Sequence, residues 1–250
     1  MPVLLCDLDD TLFDHDRATR ESLADLRRGH QVLTCWSLDE LDARHRVLLE
    51  TLHLEVLAGR LSVDDARRER FSRLLAEAGV VDHAAAADAI ACAYRATYAA
   101  NWHPVSGALE LLRAVRAEGH AVVIVTNNGI AEQQLKLERC GIGACVDLMV
   151  TSEEAGISKP DRGIFEYALT RVGAIASEAV MLGDAWAADI EGARAAGVTP
   201  VWFNPVGRPS PDASIAELAS LTPATAALEV LRRAGLRNGL MDQWTSGPME

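Results

Sequence analysis

A chain of 250 residues can bury one sizeable core or a core with a smaller companion domain, and its 49% hydrophobic and 24% charged residues exclude wholesale disorder. No apolar run reaches the roughly 20 residues of a membrane helix, and the start lacks a basic segment followed by an apolar stretch and a cleavage site; no membrane partner and a cytoplasmic location are expected. A formal net charge of -12 argues against a nucleic-acid polymer as partner, and five cysteines without CxxC spacing suit a reducing compartment better than disulfides or a zinc site.

In chain order, the first predicted element is the apolar run Val3 to Leu8, a strand that delivers Asp7, Asp9 and Asp10 at its end. Two carboxylates about 4 Å apart repel by ~4 kcal/mol at an effective dielectric near 20, so this crowding calls for a cation. Alternation along an extended chain points Asp10 away from Asp7 and Asp9 and leaves it as a turn or helix-start residue. Cys6, between Leu5 and Asp7, reads as core.

From about Asp14 to about Tyr98 no convincing strand occurs; twelve arginines and helical spacing at Leu48, Leu49, Leu52 and Leu57 predict a helical insert. Its arginines read mainly as solvated helix faces, with one or two available to point toward an anionic substrate. His15, between Asp14 and Asp16, reads as a solvated linker residue more readily than as a substrate contact, and Trp102 and His103 read as packing the return linker that spans Asn101 to Pro104.

After Gly107, helices and strands alternate. Leu109, Leu111, Leu112 and Val115 share a helical face; Ala121 to Val125 is a strand followed by Thr126, Asn127 and Asn128; Ala131 to Cys140 is a helix closed by Gly141. Val146 to Val150 is a strand leading to Ser158-Lys159-Pro160, Ile164 to Val172 a helix closed by Gly173, and Ala179 to Leu182 a strand followed by Gly183 and Asp184. Asp189 to Ala196 is predicted helical up to Gly197, and Pro200 to Phe203 is a last strand. Short apolar runs without alternation are strands buried on both faces, which predicts an α/β fold with a doubly wound parallel sheet. The expected division is a core of residues 1–13 and 99–235, a helical domain over 14–98, and a C-terminal tail over 236–250 that Trp244 could anchor.

Ligand sites in such sheets gather at the carboxyl ends of strands, where the reactive residue types fall here. Asp7 to Thr11 (DxDxT), a strand ending in Thr126, Lys159 followed by proline, and Gly183 to Asp189 (GDxxxxD) resemble, in this order, the four motifs of the haloacid dehalogenase superfamily phosphatases. The insert after the first motif resembles that family's C1 cap, and the core motifs look most like its pyrimidine 5′-nucleotidase group. One departure is that Asn128 stands where a common form has glycine, with Gly129 following.

The resemblance implies a Mg²⁺-dependent phosphomonoesterase acting on a small phosphorylated metabolite, with a nucleoside 5′-monophosphate among the options. It implies Asp7 as nucleophile, Asp9 as acid and base, Lys159 as charge stabiliser, and Thr126 with Asn127 at the phosphate. The implied metal ligands are Asp7 and Asp184 through side chains, Asp9 through its backbone carbonyl, and Asp189 directly or from behind. Trp186 either walls the pocket or covers a helix start, and Thr11 serves the backbone geometry. One of only two lysines in the chain is Lys159, where a compact ammonium suits the site better than a planar guanidinium. Three alternatives stand beside this reading: a sugar-phosphate phosphatase or phosphomutase, a haloacid dehalogenase, against which Asp9 and the intact GDxxxxD speak, and a non-catalytic phosphate-binding scaffold.

Overall fold

The structure is a computed structural model, and it describes residues 2–81 and 83–236. The chain divides into two compact units, one built from Met1–Asp14 with the chain from Pro104 onward, the other from His15–His103. The tail beyond Leu236, with Trp244, lies outside the described residues.

The larger unit is organised by six parallel strands: β1 (Val3–Cys6), β2 (Ala121–Thr126), β3 (Leu148–Thr151), β4 (Ala179–Gly183), β5 (Thr199–Phe203) and β6 (Ala216–Leu218), in the order β3-β2-β1-β4-β5-β6. All four residues of β1 and all six of β2 are buried, which is why these segments are apolar at every position instead of alternating. Val3, Leu5, Val123, Val125, Val150 and Met181 pack one face of the sheet against Ile164, Phe165, Ala168 and Leu169. Each of the Val, Leu, Ile, Phe and Met side chains removed from water contributes about 1.5–3 kcal/mol.

The expected five strands are present within one or two residues, and β6 is additional. It has three residues, of which Leu218 alone is buried, too short to carry a periodic signal.

Strand β1 lies between β2 and β4, so the sheet winds outward in both directions from the β1/β4 boundary. The residues that follow these two strands, Asp7 and Asp184, therefore emerge side by side. Cys6 pairs with Leu182, and Asp7 N–H donates to the Leu182 carbonyl at 2.9 Å, so the register is held up to Asp7 itself.

Among the helices of this unit, α5 (Ala108–Ala117) precedes β2 and buries Leu111, Leu112 and Val115. Helix α6 (Ile130–Arg139) follows β2, the short α7 (Ser152–Ala155) follows β3, and α8 (Arg162–Val172) leads towards β4. After β4 the chain makes a π-helical turn, Trp186–Glu191, before the short α9 (Gly192–Ala195); α10 (Ala224–Arg233) closes the unit. Sequence periodicity predicts a plain α-helix from Asp189; the wide turn starts three residues earlier and sets Asp189 inside it. Such turns recur where a side chain must be aimed at a site.

Among the described residues, the smaller unit holds four α-helices, α1 (His15–Gly29), α2 (Leu38–Leu57), α3 (Val63–Glu77) and α4 (Ala84–Ala100), with a short 3-10 turn, Gln31–Cys35, between the first two. Ser37 and Glu40 form a capping box at the start of α2, and Ser62 caps α3 through the Asp65 amide. The bundle buries Leu23, Leu41, Leu52, Phe71, Leu74, Ile90 and Tyr94. His45 sits within it beside the rings of Phe71 and Tyr94, and burial holds its imidazole well below the ordinary histidine range, hence neutral.

His15 is not a solvated linker residue. It opens α1 half-buried, with Nδ1 2.6 Å from the Tyr98 hydroxyl. Trp102 lies edge-on to Tyr98, and His103 Nε2 is 3.3 Å from Glu21. Among the described residues, no helix is long and apolar enough to cross a membrane.

Candidate active site

The carboxyl edge of the sheet gathers three carboxylates. Asp7 after β1, Asp184 after β4 and Asp189 in the π-helical turn each offer an oxygen within 4.8 Å of the other two. Asp7 and Asp189 are buried and Asp184 is half-buried. An all-oxygen donor set with a partly open ligand on one side is the chemistry a hard divalent cation takes, so the residues fit such an ion.

Glycine at position 183 is what allows this proximity. A Cβ there would lie 2.4 Å from the Asp189 carboxyl carbon, closer than real contacts come, so any side chain would drive Asp189 out of its place.

Two of these acids are far from ordinary. Burial, reinforced by the charges of Asp189 and Asp9, pushes Asp7 up to about 7, with the Lys159 ammonium opposing the rise without cancelling it. Burial and then repulsion from Asp7 and Asp189 push Asp184 up to about 8. Both start from an aspartate value of 3.8. Three carboxylates sharing one pocket cannot all ionise in the absence of enough positive charge.

Lys159 supplies part of that charge. Its Nζ lies 2.6 Å from Asp7 Oδ1 and 2.6 Å from Asp189 Oδ1, and only 4% of the residue is exposed. Burial favours the neutral amine, but Asp189 and Asp7 outweigh it and hold the ammonium above the ordinary lysine range. Asp189 Oδ2 also accepts from the Ala185 amide at 3.0 Å, which locks the carboxylate in orientation. Thr11 Oγ1 reaches Asp7 Oδ2 at 3.3 Å and Asp184 Oδ1 at 3.4 Å, so the last residue of the first motif ties two of the acids together by its side chain, beyond its expected service to the backbone.

Thr126 ends β2 almost fully buried, its hydroxyl accepting from Gln133 Nε2 at 2.7 Å. Asn127, expected beside Thr126 at the phosphate, spends both ends of its amide on the Lys159 backbone. Its Oδ1 accepts from the Lys159 N–H at 2.7 Å and its Nδ2 donates to the Lys159 carbonyl at 2.8 Å. The side chain therefore braces the lysine loop across 32 positions of sequence. Trp186 stacks edge-on against Trp202 and donates to Glu191, while Trp202 Nε1 donates to the Asp184 carbonyl at 2.8 Å.

Asp9 stands slightly apart from the three acids, in a set of donors that sequence reasoning missed. Lys136 Nζ lies 2.5 Å from its Oδ1, and both Asn128 Nδ2 and Gln133 Nε2 donate to its Oδ2 at 2.7 Å. A signal was present: Lys136 is the chain's other lysine, and the same scarcity that singled out Lys159 applies to it. Asn128, the departure from the glycine-bearing form, is accounted for by this contact with Asp9. Asp10 takes a left-handed backbone (φ 61°) and its N–H donates to the Phe13 carbonyl at 2.7 Å, which makes it a turn residue and not a helix start.

This fold and this acidic edge define a hydrolase of the haloacid dehalogenase-like type. The chain belongs to that family: residues 1–197 match the family model described as haloacid dehalogenase-like hydrolase. Pyrimidine 5′-nucleotidase YjjG of Escherichia coli is 42% identical over 111 residues, 44% of this chain and 48% of that protein, so this match spans about half of the relative's length. Phosphoserine phosphatase of Thermus thermophilus is 32% identical, with 90% of this chain and all of that protein covered. Among solved structures, the magnesium-bound HAD-hydrolase YfnB of Bacillus subtilis superposes with a TM-score of 0.76 at 25% identity, covering 91% of this chain and 98% of that one.

Proposed function

We propose that the protein is a Mg²⁺-dependent phosphomonoesterase acting on a small phosphorylated metabolite, with nucleoside 5′-monophosphates the first class to try. The observation that carries this reading is the set Asp7, Asp184 and Asp189 around one point, with Lys159 bridging Asp7 and Asp189. The nucleotidase and phosphatase names of two relatives supply the substrate class. A small substrate also suits the net charge, since the cations needed to meet a phosphate are local ones.

In this reading an Asp7 oxygen attacks phosphorus in line, and the bond from phosphorus to the ester oxygen breaks with its electron pair staying on that oxygen. Asp9, protonated, gives that oxygen its proton, so an alcohol leaves and Asp7 carries an acyl phosphate. Water then attacks phosphorus and gives a proton to the Asp9 carboxylate; the bond to Asp7 breaks, returning the carboxylate and inorganic phosphate. Lys159 faces the transferring oxygens with its ammonium, and Thr126 with the amides that follow β2 holds them in place. The carboxylates of Asp7 and Asp184 and the Asp9 backbone carbonyl, with Asp189 beside them, would hold Mg²⁺, which when bound would neutralise phosphoryl charge. The helical unit His15–His103 occupies the sequence position of a C1 cap, and we assign it the choice of substrate.

Phosphate release from a panel of nucleoside monophosphates, sugar phosphates and phosphoserine tests the reading. Release that needs Mg²⁺ and stops with chelator is expected; no release from any ester at any metal concentration would reject it. A hexose phosphate that is isomerised only in the presence of a bisphosphate primer would move the assignment to a phosphomutase.

The raised acids also set a pH dependence for the metal-free protein. Below pH 3.8 Asp7 and Asp184 are protonated whether the chain is folded or not. Between that value and about 7 to 8 the folded protein keeps protons that the unfolded chain has lost; above it the folded cluster is fully charged and repels itself. Melting temperature in chelator is therefore expected to fall as pH rises from about 5.5 to about 8.5, and the gain on adding Mg²⁺ to grow over the same interval. Differential scanning calorimetry at the two pH values checks this, and an equal gain at both would contradict it.

A further inference from the structure

Helix α6 turns an unusual face inward. Gln133 and Lys136, three residues apart and therefore on one side of the helix, are both buried, and Leu137 beside them is the apolar residue expected there. Burying a lysine ammonium is strongly unfavourable unless a counter-charge meets it, and Lys136 is 1% exposed. The counter-charge is Asp9, at 2.5 Å from Nζ, and Glu132 one turn away at 3.4 Å is a second acid. The ammonium also lies 4.7 Å from the centre of the Phe13 ring, which fixes it from another side.

Gln133 is built as tightly into the same corner. Its Nε2 donates both to Asp9 Oδ2 and to Thr126 Oγ1, each at 2.7 Å, while its Oε1 is buried without a hydrogen-bond partner. Leaving an amide oxygen unsatisfied is unfavourable, so the donations on the other end are what hold this side chain where it is. The chain's two lysines thus divide the first motif between them, Lys159 on Asp7 and Lys136 on Asp9.

We propose that Lys136 and Gln133 are the positioning residues of the acid and base Asp9: from two sides they fix the plane of its carboxylate relative to the phosphate loop at Thr126. The inference rests on the phosphatase reading, in which Asp9 carries the proton to the leaving oxygen. Misplacing a reacting group by about 1 Å loses on the order of a hundredfold, which is the scale at stake.

The test compares kcat/KM of the wild type, Lys136→Met, Gln133→Leu and Lys136→Arg on two probes, p-nitrophenyl phosphate and the best alkyl monophosphate of the panel. Because kcat/KM covers only the steps up to formation of the acyl phosphate, it isolates leaving-group protonation from the later attack of water. An alkoxide needs that proton and a nitrophenolate does not. Lys136→Met and Gln133→Leu are expected to lower kcat/KM for the alkyl ester by roughly 10- to 100-fold and for the aryl ester by less than about threefold, with Lys136→Arg recovering most of the loss.

An equal fall on both probes, or no fall on either, overturns the proposal. If Lys136→Met does not fold, judged by its melting transition with Mg²⁺, Gln133→Leu carries the comparison, since it removes no charge. A wild type that releases no phosphate from either probe overturns the phosphatase reading first and this one with it.

Discussion

Replacing Asp7 by asparagine is expected to lower kcat by about 10⁴-fold or more at unchanged fold, because it removes an attacking atom that no neighbour can replace. Its carboxylate sits at the β1/β4 boundary, its amide bonded to the Leu182 carbonyl and its Oδ1 to Lys159. Asparagine is nearly isosteric and removes one negative charge from a crowded cluster, so metal-free Asp7→Asn should melt no lower than the wild type near neutral pH. That combination, loss of turnover without loss of stability, separates a nucleophile from a structural aspartate. The assay is steady phosphate release alongside a thermal melt; turnover within tenfold of the wild type would remove Asp7 from its assigned role.

Lys159→Met is expected to act on both quantities. Catalysis loses the charge that faces the transferring oxygens, a loss on the order of 10²- to 10³-fold in kcat by analogy with removal of one oxyanion donor. Stability loses the cation between two buried carboxylates, and breaking such a pair costs about 3–5 kcal/mol. The stability loss should be largest in chelator and shrink with Mg²⁺, which offers the same acids another positive charge. Lys159→Arg should not rescue turnover, because one compact Nζ bridges two carboxylates, Asp7 and Asp189, at 2.6 Å each, a bridge that a planar fork suited to a single carboxylate, as at Asp9, does not reproduce. Comparing kcat and melting temperature with and without Mg²⁺ checks both parts; an active Lys159→Arg would show that any cation suffices there.

Much of this was legible from the chain alone, for a physical reason. Parallel strands buried on both faces are apolar throughout and end abruptly where the chain leaves the sheet, so Val3 to Leu8 and Ala179 to Leu182 announce both the strand and the reactive residues after it. The three residues of β6 bury only Leu218 and carry no such pattern.

Lys136 and Gln133 were hidden because periodicity treats polar side chains as the wet face of a helix. Here two of them turn inward to meet Asp9, more than a hundred positions earlier in the chain. The same blindness applies to Asn127, whose amide bonds the Lys159 backbone, and to His45, a neutral imidazole inside the helical bundle. Local pattern reports which residues avoid water; it does not report which buried polar groups have found each other.

The central claim, that Asp7 accepts the phosphoryl group, is met most directly by quenching the Mg²⁺-loaded enzyme in acid during turnover of p-nitrophenyl phosphate and reducing it with borohydride, ideally with Asp9→Asn, which slows the attack of water while the aryl leaving group departs without a proton. An acyl phosphate on Asp7 is converted to homoserine, and peptide mass spectrometry is expected to find that conversion at position 7. An unmodified Asp7 peptide from a preparation that is releasing phosphate would contradict the account.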